Sequence, residues 1–99
     1  MTAYLIVNYD VTDAAEFEKY NPGSLGEIMG TIAKHGGTPL GAGPTESIVG
    51  SAESVCVLIQ FPDSDAAKAW LDDDEYAPLK ALRHGSTSNI REFLVPGLG

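Results

Sequence analysis

The run from Ser54 to Phe61 constrains this chain more than any other segment, because its residues alternate cleanly and are apolar on both sides. Val55, Val57, Ile59 and Phe61 fall on one face of a strand, and Cys56, Leu58 and Gln60 fall on the other. Pro62, which has no backbone N–H to donate, ends it. Such a strand needs cover on both faces. Ala3 to Tyr9 is a second β-branched and aromatic segment, closed by Asp10 and Thr12, and reads as a strand buried on at least one face. Ninety-nine residues suffice for one core and not for two, so residues 1–99 are expected to form a single domain.

Helical signals separate the strands. Asp13 with Glu16 three residues on makes a variant of the capping box, and it predicts a helix with Phe17 and Tyr20 along its apolar edge. Asn21-Pro22-Gly23 interrupts that helix, since an interior proline loses a hydrogen bond and costs about 3 kcal/mol. The spacing predicts a restart with Asn21 as N-cap and Pro22 at N1, after which Leu25, Ile28, Met29 and Ile32 form a core-facing stripe. His35-Gly36-Gly37 closes it. From Thr38 to Gly50, glycines and prolines surround a short Ser47-Ile48-Val49 run that suits an edge strand or hairpin arm. Beyond Pro62, Asp63 or Ser64 caps a helix carrying Ala66, Ala67, Trp70 and Leu71 on one side. The acidic run Asp72 to Glu75 breaks it, and a short helix follows from Pro78 to Arg83, with Leu79 and Leu82 inward and His84-Gly85 at its end. Asn89 to Val95 is the last strand.

This βαββαβ order is the ferredoxin-like plan: an α+β sandwich of a four-stranded antiparallel-type sheet with helices on one face. The other sheet face, bearing Tyr4, Ile6, Cys56 and Leu58, is too apolar to leave in water. A homodimer packed sheet to sheet would cover it. The first and third strands are expected side by side and parallel, which makes Asn8 and Gln60 neighbours at one end of the open face. Two amides there could orient a small polar ligand between apolar walls formed by Tyr4, Ile6, Cys56 and Leu58, or could bond each other or a partner chain.

Charge and cysteine count exclude several functions. Six Lys and Arg against fourteen Asp and Glu give a net charge of −8, which repels nucleic acids and anionic membranes. A single cysteine permits no intrachain disulfide and no thiolate zinc site. Asp72 to Glu75 lacks the spacing of a calcium loop, and the glycines form no nucleotide-binding fingerprint, so neither metal nor cofactor is expected. Met1-Thr2-Ala3 carries no basic residue and Tyr4-Leu5-Ile6-Val7 is too short for a signal core, so a cytoplasmic location is expected.

Few residues suggest chemistry. His35 is an imidazole beside glycines that allow close approach and is an acid/base candidate, although a helix C-cap explains it equally well. His84 invites the same two readings. Arg83 and Arg91 could each bind a carboxylate or pair with a local acid. Cys56, mid-strand among apolar neighbours, reads as core, as do Trp70 and Tyr76.

Tyr4-Leu5-Ile6-Val7 with Asp10, His35-Gly36-Gly37, Phe61-Pro62, Ala66-Ala67-x-x-Trp70, Glu75-Tyr76 and Leu82-Arg83 stand in an order that spans nearly the whole chain. Together they resemble domain-of-unknown-function family 1330 of the dimeric α+β barrel superfamily. The resemblance implies a ferredoxin-like protomer that dimerises through its sheet, with no established activity, and it favours Arg83 over Arg91. Thr38 and Pro39 stand where a basic residue is expected, and Ser51-Ala52 where a tryptophan is. Superfamily analogy implies a small, partly apolar ligand in a cavity between sheet and helices, with cofactor-independent oxygenase or isomerase chemistry and His35 as its acid/base. The alternative is a structural or protein-interaction module whose dimer interior is filled.

Overall fold

The alternation in the first and third strands decides the architecture. The computed structural model describes residues 1–98. Its elements run β1 (Ala3–Val11), α1 (Ala14–Tyr20), α2 (Leu25–Lys34), β2 (Thr38–Pro44), β3 (Val55–Phe61), α3 (Ser64–Leu71), α4 (Ala77–Gly85) and β4 (Thr87–Pro96). The strands form one sheet in the order β2-β3-β1-β4, and every neighbouring pair is antiparallel. Each crossover carries a pair of short helices, so the ferredoxin-like plan holds with each helix split in two. No helix among the described residues is long and apolar enough to cross a membrane.

The sheet has two unlike faces. Leu5, Val7 and Tyr9 of β1 and Ile59 and Phe61 of β3 are buried beneath the helices, against Ile28, Ile32, Ala67, Trp70 and Tyr76. Opposite them, cross-strand pairing places Tyr4 beside Gln60 and Val95, and Ile6 beside Leu58 and Phe93. No helix packs on this side, and Phe93 and Val95 keep 48% and 42% of their surface exposed.

Local chemistry explains the helix ends. The Asp13 carboxylate accepts a hydrogen bond from the Glu16 backbone N–H at 3.1 Å, and Asp63 accepts one from Ala66 N–H at 2.8 Å, as the capping patterns require. Gly36 has a left-handed φ of 74°, the conformation a helix stop favours. Gly37 answers a different need: a Cβ there would lie 2.6 Å from Ile32 Cγ2 and 2.7 Å from Phe61 Cε1, so the chain crosses the core only because that atom is missing.

Three expectations are corrected. β1 and β3 are antiparallel, because each crossover joins two parallel strands that flank a third, and the hairpin β2–β3 makes that third strand run the other way. Asn8 therefore faces Cys56 while Gln60 faces Tyr4, roughly 13 Å apart along the strand at about 3.3 Å per residue. Asn21 is the C-cap of α1, not an N-cap, and Ser24 stands at the N-cap of α2. Finally, the edge strand is built from the glycine- and proline-rich Thr38–Pro44 itself, while Ile48 and Val49 protrude from the following loop, 92% and 94% exposed. An edge position tolerates proline because one side of the strand makes no ladder bonds.

Replacing Gly37 by alanine is expected to destabilise the protein by about 1–3 kcal/mol, the usual cost of overpacking a core. A urea-denaturation midpoint checks this, and an unchanged midpoint would show that the crossing has room to spare.

Candidate functional site

The helix pairs do not close completely over the sheet. A cavity of about 90 Å³ remains between them, floored by Val7, Tyr9, Val57 and Ile59. Tyr20, Trp70, Tyr76 and Arg83 wall its inner end, and Leu25, Met29, Pro39 and Ala42 stand toward solvent. Half of the apolar stripe on α2 thus serves the core through Ile28 and Ile32, while Leu25 and Met29, 38% and 40% exposed, border the cavity.

Arg83 dominates the inner end. It lies on α4 and is 2% exposed. Its Nη2 donates to Glu92 Oε1 of β4 at 2.7 Å, and its Nε makes a long 3.4 Å contact with the Tyr76 hydroxyl. The guanidinium carbon sits 5.8 Å from the centroid of the Tyr9 ring, within cation–π range. Nη1 is buried and has no hydrogen-bond partner, alone among the buried side-chain polar atoms described. Buried donors are nearly always paired, so an unpaired guanidinium nitrogen on a residue that lines a cavity is an unusual feature. The Tyr76 and Tyr20 hydroxyls share a 2.7 Å hydrogen bond next to it. Trp70 stacks on Tyr76 at 4.3 Å between centroids and donates its indole N–H to Thr31 Oγ1, which fixes both rings.

Electrostatics keep these groups in one protonation state. Burial works against the charge of Arg83, but Tyr76 and Glu92 outweigh it and hold the guanidinium protonated. Burial also pushes Glu92 upward, yet its bond to Arg83 prevails and leaves the carboxyl below its ordinary value. Burial raises the Tyr9 phenol, and burial together with Tyr76 raises that of Tyr20. The lining contains no carboxylate, imidazole or thiol among the described residues; its polar groups are the Arg83 guanidinium, the tyrosine hydroxyls, the Trp70 indole N–H and the Asn21 amide.

The other candidates lie elsewhere. Asn8 is spent on the loop before β3: its Nδ2 donates to Glu53 O and Val55 O at 3.2 and 2.6 Å, and its Oδ1 accepts from Glu53 N–H at 3.1 Å. Tyr4 and Gln60 pair on the open face, outside the cavity lining. His35 is the C-cap of α2 and also lies outside the lining. Its Nε2 bonds Asp73 Oδ2 at 2.6 Å, and Lys34 Nζ approaches the same oxygen at 2.9 Å. These two partners, His35 first, hold Asp73 well below the usual carboxylate range. The acidic run therefore supplies a specific tether for α2. Arg91 pairs with Glu53 at 3.2 Å. No group of His, Cys, Asp or Glu able to hold a metal occurs among the described residues.

Fold and site define an α+β protein of ferredoxin-like architecture with a small, donor-lined cavity between sheet and helices. The chain belongs to the family described as "Domain of unknown function (DUF1330)", whose model matches residues 2–98. Among solved structures it is similar to a dimeric ferredoxin-like protein of unknown function from Jannaschia sp. CCS1, with TM-score 0.78 and 14% identity over 98% of this chain and 100% of that one. A dabb family protein with a ferredoxin-like fold from Mesorhizobium loti gives TM-score 0.74 and 14% identity, covering 99% and 98% of the two chains. The cofactor-independent oxygenase SnoaB of Streptomyces nogalater gives 0.69 and 15%, covering 99% and 94%. No curated protein matches.

Two outcomes check the electrostatics. Arg83→Met should cost about 3 kcal/mol at neutral pH by stranding Glu92, the lower end for a broken buried pair because Glu92 is 20% exposed, and adding Glu92→Leu should recover much of it. Glu92 and Asp73 have folded-state values below their unfolded ones, so their stabilisation is full above the ordinary carboxylate range and is lost progressively as pH falls from there through the lowered folded-state values. The melting temperature should therefore drop below about pH 4.5, the ordinary value for Glu92, and the drop should be shallower in Glu92→Gln.

Proposed function

We propose that this protein is a cytoplasmic homodimer, paired through its open sheet face, that binds a small, partly apolar molecule in the cavity between sheet and helices. One observation carries the reading: a cavity with an apolar mouth ends on a buried arginine that retains an unpaired donor. Ligand sites combine apolar walls with a few convergent polar groups in this way. The lining also disfavours proton abstraction inside the cavity, because the Tyr9 and Tyr20 phenols are held above their ordinary values and no carboxylate, imidazole or thiol lines it among the described residues. Any cofactor-independent chemistry there would rest on stabilising an oxygen of the ligand. In this reading His35, tied to Asp73, positions α2 and does not act on the ligand.

The dimer is supported by the half-exposed Phe93 and Val95 beside Tyr4, Ile6 and Leu58, and by the neighbours from Jannaschia and from Bacteroides fragilis, both described as dimeric. A single unpaired thiol, Cys56, suits a reducing compartment.

Leu58→Arg should give a folded monomer in sedimentation velocity, since the substitution touches only the open face; a persistent dimer would place the interface elsewhere. Ala42→Trp, at the exposed rim of the cavity, should abolish binding of small apolar acids and amides seen by ligand-observed NMR while leaving the melting temperature nearly unchanged. Undiminished binding would remove the cavity as the site.

A further inference from the structure

The buried inner end of the cavity carries the Arg83 guanidinium and the Tyr20 and Tyr76 hydroxyls, while Tyr9 lines its floor and the Asn21 amide lies at its exposed side. The guanidinium fork is used on one side only, with Nη2 on Glu92 and Nη1 on nothing. Glu92 does not serve Arg83 alone, because His84 Nε2 lies 3.4 Å from the same Oε1. Glu92 therefore engages one edge of the guanidinium and leaves the other edge, at Nη1, without a carboxylate. A neutral acceptor would satisfy Nη1, but an ionised one gains roughly twice as much from such a bond.

The cavity also limits size. Its 90 Å³ is on the order of three water volumes, at about 30 Å³ each, and is smaller than the roughly 150 Å³ apolar cavity that admits benzene. A carboxylate and two or three carbons would fill it, and a longer chain would have to emerge between Leu25 and Met29 on one side and Pro39 and Ala42 on the other. Those four residues offer an apolar path.

Resting on the reading of this cavity as the binding site, we infer that its ligand is a small monocarboxylic acid, with its carboxylate on Arg83 Nη1 and a short apolar chain directed to the mouth. The Tyr20–Tyr76 pair stands beside the carboxylate as a second source of hydrogen bonds, and Glu92 orients the guanidinium without touching the ligand. A lone trapped water is the competing occupant of Nη1.

Propionate, butyrate and pentanoate are titrated calorimetrically against their primary amides, which match them in shape and lack the charge. Binding is located by the methyl signals of Leu25 and Met29. Each acid is expected to bind at least about tenfold more tightly than its amide, with about fourfold gained per methylene that remains inside. Glu92→Gln should tighten the acids several-fold and leave the amides unchanged, a gain that structural damage would not produce. Arg83→Met combined with Glu92→Gln, which strands no charge, should erase the preference for the acid. Acids and amides binding equally at the cavity, or a preference that survives loss of Arg83, would overturn the carboxylate assignment and leave the cavity reading standing. If neither series binds or shifts the Leu25 and Met29 methyls, both fall.

Discussion

A charged arginine held beneath the sheet is the constraint on which the rest of this structure depends. Removing a guanidinium from water costs several kcal/mol, and that cost is offset only where a carboxylate and further hydrogen bonds meet it. Arg83 obtains them from Glu92 at 2.7 Å and, more weakly, from the Tyr76 hydroxyl at 3.4 Å. Helix α4 and strand β4 are thereby locked together, and the aromatic group of Tyr9, Tyr20, Trp70 and Tyr76 packs around the charge. The arrangement leaves one nitrogen unpaired, and that nitrogen belongs to a residue lining the apolar recess beneath the helices.

Both sides of the sheet follow from the same alternation. One set of side chains builds the core and floors the cavity; the other set makes an apolar surface that the helices do not reach. The proposed ligand site and dimer interface therefore use opposite faces: Tyr4 and Gln60 lie on the open face, whereas Arg83 lines the cavity under the helices. Asn8 ties the β2–β3 loop to the sheet with both amide atoms, and His35 ties α2 to the turn after α3 through Nε2.

What could be read from the sequence was local. The alternation of β3, the carboxylate caps at Asp13 and Asp63, and the glycine stop after His35 are each decided within a few residues, and the structure repeats them. The direction of β1 against β3 follows from the two crossovers of the βαββαβ plan and not from either strand, so the parallel pairing expected for Asn8 and Gln60 conflicted with the plan itself. What could not be read depends on register. Tyr20 and Tyr76 are 56 residues apart, and His35 and Asp73 are 38 apart, distances over which no spacing rule operates. Arg83 and Glu92 are only nine apart, but one is on a helix and the other on a strand, where neither periodicity links them. Family pattern singled out Arg83; only geometry shows that it is buried with a nitrogen to spare.

The most direct test is a high-resolution crystal structure of the untagged protein isolated without added ligand, inspected at the end of the cavity. The account expects non-protein density with an acceptor atom about 3 Å from Arg83 Nη1, with Nη2 still on Glu92. An interior closed by side chains, with Nη1 donating to a backbone or side-chain oxygen of the protein itself, would contradict it.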